Sequence, residues 1–528
     1  MSAWQPPSDF DSTPTSLRST APLLMAGTLL GALADLLLRT TAAPPGLNMA
    51  AWIGAVAAAA LLVHRRTGLA VHPARLTWLW LGVAFAAGLA WRDAPPLKLL
   101  ALASATFAFA LAAHRHVASW LRRAGVFRYA GALVLAAVHA WTGAVVVLFD
   151  ASRLAGPRGS AGSTSAGRAA AVVRGLVIAT PLVLLFGALF MAADAIFENL
   201  VLHVLTIDLD QLASHVLLFS IAAWVSTGYL RTFVAGAELP QLPSGSAGLP
   251  VLFTARRPTL GITEVATVLG SLDALFMIFV TVQFRYLFGG DDVVQVTPDL
   301  TYAEYARRGF FELVFAVVLV IPILLAADWL LDRRTPRDTR VFRGLAGAQV
   351  ALVLAVAASA FQRLRLYHAS YGLTEARLYA AVLLVWLGAM LVWTAVTVLR
   401  GRRERFAFGA LVAGLATGVF LFVANPDAVV ARANLARMAS TDARVRFDVA
   451  YATSLSGDSV PVLMAALPAL PPDVQCPIAR HMLRRWPPQN PGSLRSWSWS
   501  SAHAEAAVRT HEAELRAMLG PNQQCTAR

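Results

Sequence analysis

Charge is scarce in this sequence. Only 14% of its 528 residues are Asp, Glu, Lys or Arg, against about a quarter in an ordinary soluble domain. The deficit excludes a water-facing surface for most of the chain. Lysine is nearly missing: Lys98 stands alone, and the formal charge of +14 is otherwise carried by arginine. Most of these arginines sit between apolar blocks, where positive-inside anchoring places them. They are not gathered with aromatics on one soluble face, so nucleic-acid binding is not expected. Cysteine is limited to Cys476 and Cys525. No cysteine or carboxylate cluster therefore accompanies His114 and His116, which read as interfacial residues and not as metal ligands. A Walker loop, a GxGxxG after a strand and a GxSxG elbow are all missing too, and no metal or cofactor is expected.

What is abundant is apolar sequence: 57% of the chain is hydrophobic. It falls into blocks of about 17–25 residues, the length that crosses roughly 30 Å of hydrocarbon as a helix. The blocks are continuous Leu/Ala/Val/Phe runs without the alternation of a barrel strand. Lipid permits only helices or closed barrels, so the fold class is an all-α polytopic transmembrane bundle, with the lipid bilayer as its first partner. The candidate spans are 21–38, 46–63, 76–92, 97–113, 129–149, 171–192, 212–230, 262–286, 309–331, 341–361, 378–399 and 406–424, about twelve in all with a range of eleven to thirteen. Residues 1–20 form a polar tail. The first apolar run begins at Ala21 without the basic start of a cleavable signal, which predicts a retained helix. Gly156 to Ser163 is a flexible linker by composition. The expected organisation is therefore a block of five helices (21–150), a linker (151–170), a block of seven (171–424) and a small helical extramembrane domain (425–528).

Arginine-rich joints set the orientation. Arg333, Arg334, Arg337, Arg340 and Arg343 follow the ninth span, and Arg400, Arg402, Arg403 and Arg405 follow the eleventh. The joint after the sixth carries Asp194, Glu198, Asp208 and Asp210 without Lys or Arg. The basic joints are expected inside and everything after span twelve outside. The N-terminal half is less consistent, because Arg115 to Arg128 and Arg153 to Arg174 lie in consecutive joints. Both cannot be inside unless a span is miscounted or re-entrant.

In the C-terminal segment, helices are predicted from Asp442 to Leu455, from Val460 to Leu467 and from Pro471 to Arg485. A last one is capped by Ser500 or Ser501 and ends near Leu519. This domain is a candidate docking face for a protein partner. Trp486, Trp497 and Trp499 belong either at the lipid interface or in its core. An oxidising exterior allows Cys476 and Cys525 to form a disulfide, with two free thiols as the alternative.

Polar residues in apolar spans are expensive and mark candidate sites. Glu264 and Asp273 fall in span eight, which ends Gln283-Phe284-Arg285-Tyr286. Glu304, Arg308 and Glu312 are four apart and share one face of a continuous helix entering span nine. They read either as the lining of a polar cavity or as an internal salt-bridge ladder. A second stripe, Arg363, Tyr367, Tyr371 and Glu375, runs past Gly372, which ends or kinks the helix. Thr374 is positioned to cap the next helix, close to Arg377. Both stripes fall at the outer ends of spans eight to eleven, where they are expected to form one outward-facing polar site.

The strings Pro181 to Gly187 and Ala193 to Phe197 resemble an uncharacterised bacterial membrane family, domain of unknown function 4153/4173. The resemblance strengthens at Gln283 to Gly290 and at Tyr302-Ala303-Glu304-Tyr305-Ala306-Arg307-Arg308-Gly309-Phe310-Phe311-Glu312-Leu313. It continues in Tyr371 to Tyr379 and in Asn425-Pro426-Asp427, covering roughly residues 170–460. It implies placement in a bacterial cytoplasmic membrane and adds no catalytic or binding role. Three functions stay open: a permeation pathway for a small solute or ion, a membrane-embedded enzyme on a lipid-linked substrate, and a sensor or scaffold acting through the C-terminal domain. The sequence gives no oligomeric state.

Overall fold

The computed structural model describes residues 14–39, 45–68, 70–154, 209–238, 259–288, 310–439, 447–487 and 494–519. Apart from two isolated bridges, His114 with Ala237 and Leu260 with Leu331, regular structure among these residues is helical. Eleven of the described helices are long and apolar enough to span a membrane. They are α1 (Pro14–Leu38), α2 (Leu47–Arg65), α3 (Pro73–Trp91), α4 (Pro95–Ala113), α5 (Val126–Leu154), α6 (Leu209–Ala235), α7 (Ile262–Phe288), α8 (Phe310–Leu330), α9 (Pro336–Tyr371), α10 (Glu375–Thr397) and α11 (Phe406–Ala424). These correspond one for one to predicted spans one to five and seven to twelve. The predicted span 171–192 lies outside the described residues.

Helix α9 is longer than its apolar run suggests, because local chemistry extends it at both ends. Thr335 and Asp338 form a capping box, with Asp338 N donating to Thr335 Oγ1 (3.3 Å) and Thr335 N donating to Asp338 Oδ2 (2.8 Å). Pro336 takes the first helical position, where its missing N–H costs nothing. At the other end Gly372 adopts φ 80°, a left-handed conformation that stops the helix. Thr374 then caps α10 by accepting from Arg377 N at 3.4 Å, as the sequence predicts.

The first bundle is closed by glycine contacts. A Cβ on Gly27 of α1 would sit 1.8 Å from Thr227 Oγ1, and one on Gly31 would sit 2.7 Å from Ala223 Cβ. A Cβ on Gly228 would lie 1.8 Å from Ala140 O of α5. Small residues four apart let helix backbones approach where lipid supplies no hydrophobic drive. Helix α6 thus packs on α1 and α5, which precede the linker in sequence. It runs antiparallel to α1, starting beside the end of α1, where His215 Nδ1 meets Asp35 Oδ2 at 2.7 Å. It finishes beside the end of α4, where Ala237 N donates to Ala113 O at 2.9 Å. Leu154 and Leu209, the described ends on either side of 155–208, consequently lie at the same end of the bundle. His114 belongs to this bundle's interior and not to the lipid interface: it is 1% exposed and its Nε2 lies 2.9 Å from Ala132 O.

Helices α7 to α10 form a second core around Leu269, Leu324, Phe342 and Leu391. Helix α11 joins the two, with Leu421 and Phe422 packed among Phe85, Leu89 and Leu97 of α3 and α4. One end of the assembly collects the joints carrying Arg65, Arg66, Arg115 to Arg128, Arg333, Arg334 and Arg400 to Arg405. There Arg75, 4% exposed, donates to the otherwise unmatched carbonyls of Ala112 and Phe233 at the ends of α4 and α6. Asp328 is held by Arg333 and by Arg403 at 3.5 Å, tying two basic joints together.

The opposite end carries the C-terminal helices: α12 (Pro426–Ala439), α13 (Val449–Ser454), α14 (Val460–Ala466), α15 (Pro472–Arg485), α16 (Trp499–Thr510) and α17 (Glu512–Ala517). Their shared core includes Leu463, Ile478, Val508 and Leu515, none of them measurably exposed. Asp442 lies outside the described residues. The first of the predicted helices is capped by Asp448, whose carboxylate accepts from Tyr451 N at 2.9 Å. The last is capped by Ser498, which accepts from Ser501 N at 3.0 Å, and not by Ser500 or Ser501. Ser500 is engaged elsewhere, as described below. Trp486 packs against the domain core, whereas Trp499 is exposed and pairs with His503 at 4.3 Å.

Candidate functional site at the domain seam

The joints α3–α4 and α9–α10 meet the C-terminal helices along a polar seam. Its centre is Asp458, whose side chain is 1% exposed. The carboxylate accepts from Asp93 N (2.7 Å), Ala94 N (3.1 Å) and Arg92 Nη1 (3.2 Å), all in the α3–α4 joint. Ser500 Oγ lies within reach of the same carboxylate and of Trp91 O at 3.0 Å. A buried carboxylate is tolerable only with this degree of satisfaction. Lys98, the lone lysine, pairs with Asp93 Oδ1 at 2.7 Å and is almost fully buried.

A second acid stands behind it. Asn425 closes α11 in the left-handed conformation (φ 56°), and its Oδ1 also accepts from Ala428 N at 3.3 Å, opening α12. This tight joint delivers Asp427 into the seam with no exposure at all. Its Oδ2 accepts from Ser456 N (2.9 Å) and from the Ser456 hydroxyl. Its Oδ1 is buried and has no hydrogen-bond partner among the described residues. The buried Tyr379 hydroxyl lies in the same electrostatic neighbourhood and has no hydrogen-bond partner among the described residues.

Beside these acids a cavity of about 230 Å³ opens between the α9–α10 joint and α12–α13. Asn434 fixes one wall, donating to Leu373 O and accepting from Leu373 N, both at 2.8 Å. Tyr451 fixes another, its hydroxyl accepting from Glu375 N at 2.7 Å. Burial pushes the Tyr451 phenol above its ordinary value, so the neutral hydroxyl fills this position. Two guanidinium groups surround Gly372. Arg377 Nη1 donates to Gly372 O, with its plane over Tyr367 at 4.0 Å from the ring centroid. Arg437 Nη1 would stand 2.9 Å from a Cβ on Gly372.

Of the residues singled out from sequence, Tyr371, Glu375 and Arg377 come together here. Glu264 lies at the Arg-rich end, capping α7 through Gly261 N at 2.5 Å. Asp273 is inside α7, with both carboxylate oxygens buried and without a hydrogen-bond partner among the described residues. Glu312 is exposed in the first turn of α8. Glu304, Arg308 and the side chain of Arg285 lie outside what the structure describes. Asp458, Asp427, Asn434 and Arg437 escaped the sequence reading. Asn425-Pro426-Asp427, a helix stop followed by a proline start, was the available signal for one of them.

The family described as Domain of unknown function (DUF4153) matches residues 76–466. The chain belongs to this family. No curated protein and no solved structure matches it. The DUF4153 match begins within α3, so it takes in α4 and α5, which carry none of the resembling strings. It contains the cavity, Asp427, Asp458 and Lys98, and stops before Cys476 and Ser500. Two of the resembling strings, Tyr371 to Tyr379 and Asn425 to Asp427, are separate in sequence and adjacent at the seam.

Proposed function

We propose that this multi-pass membrane protein sits in the bacterial cytoplasmic membrane with its arginine-rich end inside. Its C-terminal domain stands outside as a fixed cap on the bundle, and the seam cavity recognises a ligand presented at the outer membrane surface. One observation carries this reading. The cavity lies at the end opposite the joints of Arg65, Arg115 to Arg128, Arg333 and Arg400 to Arg405, and basic joints face the cytoplasm. A Cys476–Cys525 disulfide fits an exterior location. Cys476 is buried in α15, and no cysteine is free among the described residues, while Cys525 lies outside them.

Tyr371, on the cavity wall and 56% exposed, gives the test. In a Tyr371→Cys variant, a membrane-impermeant thiol reagent should label the introduced thiol in intact cells, with the site read by peptide mass. Labelling only after permeabilisation would reverse the orientation and remove the proposed role.

A further inference from the structure

We infer that the ligand of the seam cavity is a phosphate-bearing anion, and that Arg377 and Arg437 grip it. The inference rests on the reading of the cavity as a recognition site and names its ligand class. The observation behind it is the placement of two guanidinium groups around one glycine. Gly372 has φ 80° and no Cβ, and a methyl there would collide with Asn434 Oδ1 at 2.8 Å and with Arg437 Nη1 at 2.9 Å. The glycine thus lets Arg437 approach the wall on which Arg377 is held by Gly372 O. Like charges brought together raise the potential of a cavity and attract an anion.

Arg377 is pre-organised. One N–H is spent on Gly372 O, the plane lies on Tyr367, and it forms no ion pair among the described residues. Asp448, the carboxylate on the cavity wall, is exposed and occupied with Tyr451 N. Planar guanidinium forks match the oxygens of phosphate, and a carboxylate ligand would use fewer of the donors. The site also lies where the ends of α9 and α10 leave the membrane, flanked by Tyr367 and Tyr371 at 5.2 Å between ring centroids. That is the level at which phospholipid headgroups lie and tyrosine is enriched. Basic pockets at helix ends are suited to anionic headgroups.

The source of the phosphate, a lipid headgroup or a free anion, is separated by two arms. The full-length protein is reconstituted in nanodiscs of phosphatidylcholine with or without phosphatidylglycerol, and lipid retention is read by native mass spectrometry. In parallel, the detergent-solubilised protein is melted in inorganic phosphate and in chloride at equal ionic strength. A headgroup ligand predicts selective retention of phosphatidylglycerol. Retention should weaken about tenfold or more in Arg377→Gln or Arg437→Gln, the worth of one charge-assisted hydrogen bond. It should be unchanged in Arg432→Gln, which alters an exposed residue of α12 away from the cavity wall. A free anion predicts a higher Tm in phosphate, with the two lipids retained equally. The wild-type comparisons stand without any variant, so a misfolded substitution does not decide the matter. No preference for phosphatidylglycerol and no phosphate effect would overturn the inference. The labelling at position 371 would then still show independently whether the cavity faces outward.

Discussion

Asp458 takes two backbone N–H groups and one guanidinium from the α3–α4 joint into a single buried carboxylate. Removing such a partner leaves the opposing charges and donors buried and unmatched, which typically costs about 3–5 kcal/mol. A different residue governs the pH response. Burial pushes the His114 imidazole below its ordinary value, and the Ala132 and Ala237 carbonyls offset this only in part. The unfolded chain, titrating near about 6.5, therefore binds more protons than the folded one as pH falls through that value. Stability should decline below it. Thermal melts between pH 7.5 and 5.5 should show a falling Tm, with a smaller fall in His114→Gln. An equal fall in that variant would remove His114 as a cause. Sequence alone placed this histidine at the interface, because a polar residue ending an apolar run looks the same whether it meets water or a neighbouring helix.

At the scale of elements, eleven spanning helices were legible because each carries an apolar run of the right length between polar joints. The extra turns of α9 were not, since Pro336-Arg337-Asp338-Thr339 is polar and only its capping box reveals it as helix. Pairing was less visible still. That α6 lies on α1 and α5 depends on which glycines face a neighbour, and many glycines here face open space. The contrast gives a prediction. Gly228→Leu should separate α5 from α6 and cost about 1–3 kcal/mol or more, as overpacking does. Gly131→Leu, with nothing within 4 Å of the new Cβ, should leave Tm nearly unchanged. Equal melting of the two variants would contradict the packing of α5 on α6.

For the whole molecule, the fold class and the extra helical domain could be read from hydropathy and capping signals. The seam could not. Asp427 and Asp458 sit in short polar stretches that look like ordinary caps and turns, and the α3–α4 partners of Asp458 are hundreds of residues away in sequence. Of the residues expected at one site, Tyr371, Glu375 and Arg377 come together at the seam, while Glu264 lies at the other end. The joints near Arg115 and Arg153 lie at opposite ends of the bundle. Leu154 and Leu209 share one end, with Arg153 beside Leu154, whereas the Arg115 to Arg128 joint lies at the other.

The C-terminal domain is clamped to the bundle through Asp458. Hydrogen–deuterium exchange on the wild type and on Asp458→Ala tests it most directly. In the wild type, the backbone N–H groups of residues 92–94 and of 456–459 should both exchange slowly. In the variant both segments should lose protection together, although they lie far apart in sequence, while the cores of α3 and α14 stay protected. Unchanged protection at 92–94 would mean that the two parts are not joined there, which would contradict the clamp.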